Sequence, residues 1–237
     1  MYYQRLPLET TFNTRDLGGI PTKNNDMVAW KKLFRSDDVC RLTENDVAFL
    51  EDYGVGAVID LRTQREREES DYPLEKSPVI KTYHIPFVVD ENIQDISQST
   101  VSMSLYDFYV QMINDQKHIV KELFTAVHES KDKGLIFHCA AGKDRTGVLA
   151  ALLLGLLEVD EKDIIANYET SYTYLSANED LISPEGYEHL MFSDRSNMEK
   201  LLPLIAENYG TVYDYLKKCG LSDDVLVEIK EAYTQAV

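Results

Sequence analysis

Positive charge is what this chain has least of. Lys and Arg total 24 against 41 Asp and Glu, a formal net charge of −17. That balance argues against binding nucleic acid or an anionic membrane through a broad basic face. Cysteine is scarce as well: Cys40, Cys139 and Cys219 are the full set. Three thiols cannot all pair, and they form neither a CxxC nor a Cys/His cluster, so no disulfide framework, metal or cofactor is expected. Cys40 and Cys219 read as small, partly buried hydrophobes in a reducing compartment. No apolar run approaches the roughly 20 residues that span a bilayer. The longest, Val148 to Leu157, is interrupted by Gly155 and fits a buried helix. The start, Met1-Tyr2-Tyr3-Gln4-Arg5, lacks a signal-peptide layout, which leaves the cytoplasm as the expected location. Repeats, low-complexity tracts and Pro/Gly/Ser linkers are absent too. The 237 residues are therefore expected to form one domain, and a monomer.

What is present is an alternation of strand-like and helix-like segments. Leu33-Phe34-Arg35 reads as a short strand. Thr43 to Tyr53 reads as a helix with Thr43 as N-cap and Gly54 as its stop. Val55 to Leu61 is nearly continuous apolar sequence, as in a strand buried on both faces. Thr63 to Ser70 is a charged helical turn or two, and Lys81 to Pro86 another strand. Ser104 to Ile113 and Gln116 to Ser130 are amphipathic helices, followed by the strand Gly134 to Phe137 and an apolar helix from about Arg145. This order implies an α/β fold with a mostly parallel central sheet flanked by helices. After about residue 160 the pattern is helical throughout: Asp160 to Tyr174, Ser196 to Asn208, Thr211 to Lys218, and Ser222 to the end. Residues from about 175 onward are expected to form a helical extension, with Ser176 to Asp194 as a flap beside the site.

The chemistry concentrates in His138-Cys139-Ala140-Ala141-Gly142-Lys143-Asp144-Arg145-Thr146-Gly147, between the last strand and its apolar helix. A loop that closes a strand and opens a helix can turn successive N–H groups onto an anion, and the helix dipole adds partial positive charge. A thiol in that setting ionises more readily than free cysteine. Phosphate or another oxyanion is the expected occupant. In so acidic a protein the attraction must be local, and Lys143 and Arg145 are the local cations.

Cys-x5-Arg-Thr with a preceding histidine resembles the signature of cysteine-dependent protein tyrosine phosphatases. The HCxAGKDRTG form resembles the bacterial tyrosine/serine phosphatase group. Asn13-Thr14-Arg15-Asp16-Leu17-Gly18-Gly19, Asp60-Leu61-Arg62 and Asn208-Tyr209-Gly210-Thr211-Val212 are similar to further elements of that group, in the same order. The resemblance implies a phosphatase-like fold and metal-independent hydrolysis of phosphotyrosine, with phosphoserine/threonine as a further substrate. Cys139 would be the nucleophile. Arg145 would grip the phosphate bidentately, with the backbone of Ala140, Ala141, Gly142 and Lys143 around it. Thr146 would hydrogen-bond the sulfur, while His138 and Arg62 would support the loop. Two aspartates are candidates for the general acid: Asp144 inside the loop, which the group uses, and Asp60 at a strand end. Asp60 could equally be an ion pair with Arg62, and Arg15 with Asp16 a buried brace supporting the site. C-x-x-G-K-x-R loops also resemble those of phosphatases acting on phosphoinositides, so Lys143 admits a lipid-phosphate substrate.

Other classes fit less well. Gly142-Lys143 suggests a nucleotide-binding P-loop, but Phe137 and Asp144 stand where that pattern needs Gly and Ser/Thr. A sulfur-transfer or arsenate-reducing enzyme does not call for the arginine at the helix start. A silent phospho-ligand-binding module would be expected to have lost the cysteine or the arginine.

Overall fold

The computed structural model describes residues 1–88, 104–178 and 191–237. Its elements in chain order are β1 (Arg15–Asp16), β2 (Asp26–Val28), β3 (Leu33–Ser36), α1 (Glu44–Tyr53), β4 (Val55–Asp60), α2 (Gln64–Glu68), a 3-10 turn (Pro73–Lys76) and β5 (Lys81–His84). There follow α3 (Leu105–Asp115), α4 (Lys117–Glu129), β6 (Gly134–His138), α5 (Arg145–Leu156), α6 (Glu161–Leu175), α7 (Ser196–Tyr209), α8 (Val212–Lys218), α9 (Asp223–Tyr233) and β7 (Thr234–Ala236). The molecule is an α/β protein. Its main sheet runs β1-β3-β6-β4-β5, with β3, β6, β4 and β5 parallel and β1 antiparallel at one edge.

Local sequence explains most of these bounds. Thr43 caps α1 by accepting from the Asp46 amide, while Asp46 answers from its side chain. Gly54, at φ 104°, ends the helix in the left-handed region. Ser104, Asp160, Thr211 and Ser222 cap α3, α6, α8 and α9 in the same manner. The sheet separates two apolar layers, and strand residues alternate between them. Phe34, Val58 and Ile136 pack toward α1 and the 3-10 turn. Leu33, Ala57, Ile59, Leu135 and Phe137 pack toward α3–α9. Helix α5 lies within this larger layer, and every residue except Gly155 is buried. Each buried leucine there contributes about 1.5–3 kcal/mol.

Register brings the parallel strands to a common end. Ser36 and Asp60 each pair with His138, and Asp60 also pairs with His84. The strand carboxyl ends, where open α/β sheets place their sites, therefore meet at one level beneath residues 139–144.

One expectation is corrected, and another falls largely outside the described residues. The C-terminal part is not wholly helical: α9 stops at Tyr233, and β7 pairs antiparallel with β2 in a separate two-stranded sheet. Strands β1, β2 and β7 hold two or three residues each, too few to show a period in the sequence. Most of the expected flap, residues 179–190, lies outside the described residues.

Candidate active site

The loop from Cys139 to Asp144 is shaped by what holds its carbonyls. The Asp38 amide donates to Ala140 O at 2.9 Å. Asn13 Nδ2 donates to Ala141 O (3.0 Å) and Gly142 O (3.2 Å). Arg35 Nη2 donates to Gly142 O (2.7 Å) and Lys143 O (3.4 Å). The peptide bonds among the described residues are trans, so each carbonyl of the loop and the following N–H point in opposite directions. With four successive carbonyls turned onto the protein body, the N–H groups of Ala141, Gly142, Lys143 and Asp144 turn to the loop's other side. Helix α5 starts there with no side-chain cap, leaving its first amides to another acceptor. Gly142 sits at φ 64°, and a Cβ on it would lie 2.4 Å from Ser36 O, so the turn requires glycine.

The clamps are held in turn. Arg35 Nη1 donates to Asn167 Oδ1 at 2.7 Å. Arg15 holds Asn13 through its carbonyl (3.2 Å) and its side-chain oxygen, and reaches Asn167 O (2.6 Å) and Ser171 Oγ (3.0 Å). Two chains of hydrogen bonds, Arg15–Asn13 and Asn167–Arg35, thus converge on Gly142 O. Burial lowers the Arg35 guanidinium to about 10, and a negative charge on the Cys139 sulfur opposes that shift.

Cys139 is 2% exposed and Arg145 1%. Glu66 bridges the end of the Arg145 fork, Oε2 to Nη1 and Oε1 to Nη2, both at 2.7 Å. Burial pulls this guanidinium down, but Glu66 and Cys139 more than offset it and hold it above its ordinary range. Burial pushes the Glu66 carboxyl up, and Arg145 brings it net below its ordinary value. Arg145 Nε has no partner among the described residues. Of the five guanidinium hydrogens, the Nε–Nη2 edge is thus left for an oxyanion.

Asp144 Oδ1 accepts from Lys143 Nζ at 2.9 Å and from the buried hydroxyl of Tyr109, which lies 2.9 Å from Tyr168 Oη. Lys143 is 3% exposed and also donates to Phe192 O at 3.3 Å. Neither local cation is free: each has a carboxylate partner.

Asp60 belongs to a different arrangement. It is 0% exposed, and its oxygens take Arg62 Nε (3.0 Å), Nη2 (2.9 Å) and the Arg62 amide (3.0 Å). Burial pushes it up, but His138 and Arg62 hold it net below its ordinary range. Asp60 is thus held as the ion pair with Arg62 that was weighed for it beside the acid role. Arg62 carries the brace on to Asp38 (3.2 Å) and Cys40 Sγ (3.0 Å), and Asp38 in turn holds Ala140. His138 donates from Nδ1 to Cys139 O (3.2 Å) and accepts at Nε2 from the Tyr72 hydroxyl (2.6 Å). Burial lowers its pKa against the pull of the Asp60 carboxylate, 3.6 Å from Nε2, and the ring orders the loop through these contacts.

Three further expectations change. Arg15 and Asp16 do not brace one another. Asp16 accepts from the Gly18 amide (2.8 Å) and the Lys31 amide (2.9 Å), fixing the turn after β1, and loop support comes from Asn13 instead. Successive strand residues point to opposite faces, which separates the two side chains. The buried Thr146 hydroxyl has no hydrogen-bond partner among the described residues, the sulfur included. Glu66, Tyr109, Tyr168, Arg35 and Asn167 were not anticipated. Only Glu66 had a readable signal, the Thr63-x-x-Glu66 capping box, in which Glu66 Oε2 accepts from the Thr63 amide at 2.8 Å.

A loop with its amides turned outward and a buried cysteine and arginine at a strand–helix junction defines a cysteine-based phosphatase class, and comparison with known proteins agrees. The profile of the tyrosine phosphatase family matches residues 6–235. The chain is 30% identical to a tyrosine-protein phosphatase of Nostoc commune, over 85% of this chain and 74% of that one. It is 27% identical to a protein of Cupriavidus necator named as a candidate tyrosine-protein phosphatase, over 90% and 82%. Among solved structures, TpbA of P. aeruginosa matches with a TM-score of 0.36 and 15% identity, over 65% of this chain and 85% of that one. The chain belongs to the tyrosine phosphatase family, in its bacterial, cysteine-dependent form. No helix among the described residues is long and apolar enough to cross a membrane.

Proposed function

We propose that this protein hydrolyses phosphotyrosine, and phosphoserine or phosphothreonine more slowly, through a phosphocysteine intermediate. The carrying observation is the pairing of four loop carbonyls held against the protein body, which turns their amides outward, with an Arg145 whose Nε–Nη2 edge is free. In the first step the Cys139 thiolate forms a bond to phosphorus, the P–O bond to the leaving group breaks, and Asp144 donates a proton to the departing oxygen. In the second, water attacks phosphorus and gives its proton to the Asp144 carboxylate. The S–P bond breaks, returning the thiolate and releasing phosphate. Loop amides and Arg145 stabilise the charge of both transition states. Substrate phosphate brings its own negative charge, which is why the prior pairing of Arg145 with Glu66 matters: it orients the guanidinium without covering the edge that binds.

Lys143 gives little support to the phosphoinositide alternative, since it is buried and committed to Asp144 and Phe192 O. Phosphate release should be measured side by side from p-nitrophenyl phosphate, phosphotyrosine, phosphoserine and phosphoinositides, with wild type, Cys139→Ser and Lys143→Ala. Cys139→Ser is expected to reduce turnover to background while retaining phosphate binding and the native melting transition. Turnover near the wild-type rate in that variant would overturn the nucleophile assignment.

A further inference from the structure

Asp144 takes two hydrogen bonds on the same oxygen. Lys143 Nζ reaches Oδ1 at 2.9 Å, and the Tyr109 hydroxyl donates to Oδ1 from helix α3, 35 residues away in sequence. Tyr109 and Tyr168 are 0% and 1% exposed, and their hydroxyls are 2.9 Å apart. A phenol has one proton to give. Tyr109 gives its proton to the carboxylate, the stronger acceptor, and so receives at its oxygen the proton of Tyr168. A hydrogen-bond chain therefore runs from Tyr168 on α6 through Tyr109 on α3 to the loop carboxylate. Burial, and then the charge of Asp144, push the Tyr109 phenol well above its ordinary value, so it keeps its proton and stays a donor to Asp144.

We infer that Tyr109 is a positioning residue for the general acid: with Lys143 it commits Asp144 Oδ1, and the transferable proton is confined to Oδ2. This rests on the assignment of Asp144 as acid proposed above. An oxygen receiving two donors has no lone pair suitably placed for a proton of its own, and the carboxyl cannot turn without breaking both bonds. Oδ2 is then protonated when substrate binds, gives that proton to the leaving oxygen, and takes the next from water. The bond from Tyr109 persists in both states, since Oδ1 is an acceptor whether Asp144 is neutral or charged. Tyr109 itself transfers no proton to substrate.

The test is the dependence of turnover on leaving group, because only poor leaving groups need the acid. Kcat should be compared for p-nitrophenyl phosphate and phenyl phosphate in wild type, Tyr109→Phe, Asp144→Asn and the double variant. Tyr109→Phe is expected to raise the p-nitrophenyl-to-phenyl rate ratio roughly ten-fold, the worth of one hydrogen bond to a charged group. Asp144→Asn should raise it further, and adding Tyr109→Phe to Asp144→Asn should leave the ratio where it is. Inhibition by inorganic phosphate should be the same in Tyr109→Phe and wild type. Equal losses on both substrates, or an undiminished Tyr109→Phe effect in the Asp144→Asn background, would overturn the proposal. A wild-type ratio in Asp144→Asn would instead overturn the acid assignment, and the proposal with it. Should Tyr109→Phe not fold, Tyr168→Phe serves: removing the donor to Tyr109 should raise the ratio by roughly two-fold, and no change would count against the relay.

Discussion

At the residue scale, polar groups held by named partners do most of the work. Glu66 is an example of one side chain with two tasks, closing the capping box of α2 and bridging the Arg145 fork. The capping task follows from four consecutive residues and is legible in sequence. The bridging task depends on a residue 79 positions away, and no local pattern announces it. Asp16 shows the same limit from the other side: its neighbour Arg15 suggested an ion pair, but the pleat sends the two apart. Burial raises the Asp16 carboxyl to about 6 despite two backbone donors. Because the folded chain holds that proton more tightly than the unfolded chain, this group's contribution to stability falls as pH rises from about 4 to about 6. Asp16→Asn removes the titration. Urea unfolding at pH 4.5 and pH 7 should show the variant gaining on wild type at the higher pH by at least about 1 kcal/mol. Equal differences at both pH values would refute the shift.

At the element scale, helix limits were the most legible feature, since caps and stops are chosen within one turn. Thr43 caps as read, and Ser104, Asp160, Thr211 and Ser222, read as the starts of their helices, cap them too. The short strands were not legible. Strand β7 exists because β2 is there to pair with it, and the Ala29 amide adds a hydrogen bond to Tyr233 O at 2.8 Å. Removing residues 234–237 should lower Tm by about 3–6 °C, the effect of one or two hydrogen bonds in a chain of this size. Turnover of p-nitrophenyl phosphate should persist, because β2 and β7 supply none of the loop's contacts described above. Thermal melts with a parallel activity assay would check both, and loss of activity in a folded truncation would show that the small sheet reaches the site.

At the scale of the whole molecule, net charge and local charge act against each other. Lys143 and Arg145 were read as the local attraction for phosphate, yet each carries its own carboxylate, Asp144 and Glu66. Neutralised locally, the site feels more of the net −17. For a dianionic aryl phosphate, kcat/KM is therefore expected to rise as ionic strength increases from about 10 to about 150 mM and screening shortens. A steady fall over that range would mean the loop's positive field dominates at long range. The sequence by itself determined the α/β order, the helix limits, and the Cys139-to-Arg145 loop as the proposed place of chemistry, because caps, periodicity and short-range spacing are local. Only the tertiary structure decided which carboxylate orients Arg145, which aspartate is sealed away with Arg62, and which tyrosine holds Asp144. Those choices depend on register and packing between segments far apart in the chain, where burial sets the cost of every unpaired charge.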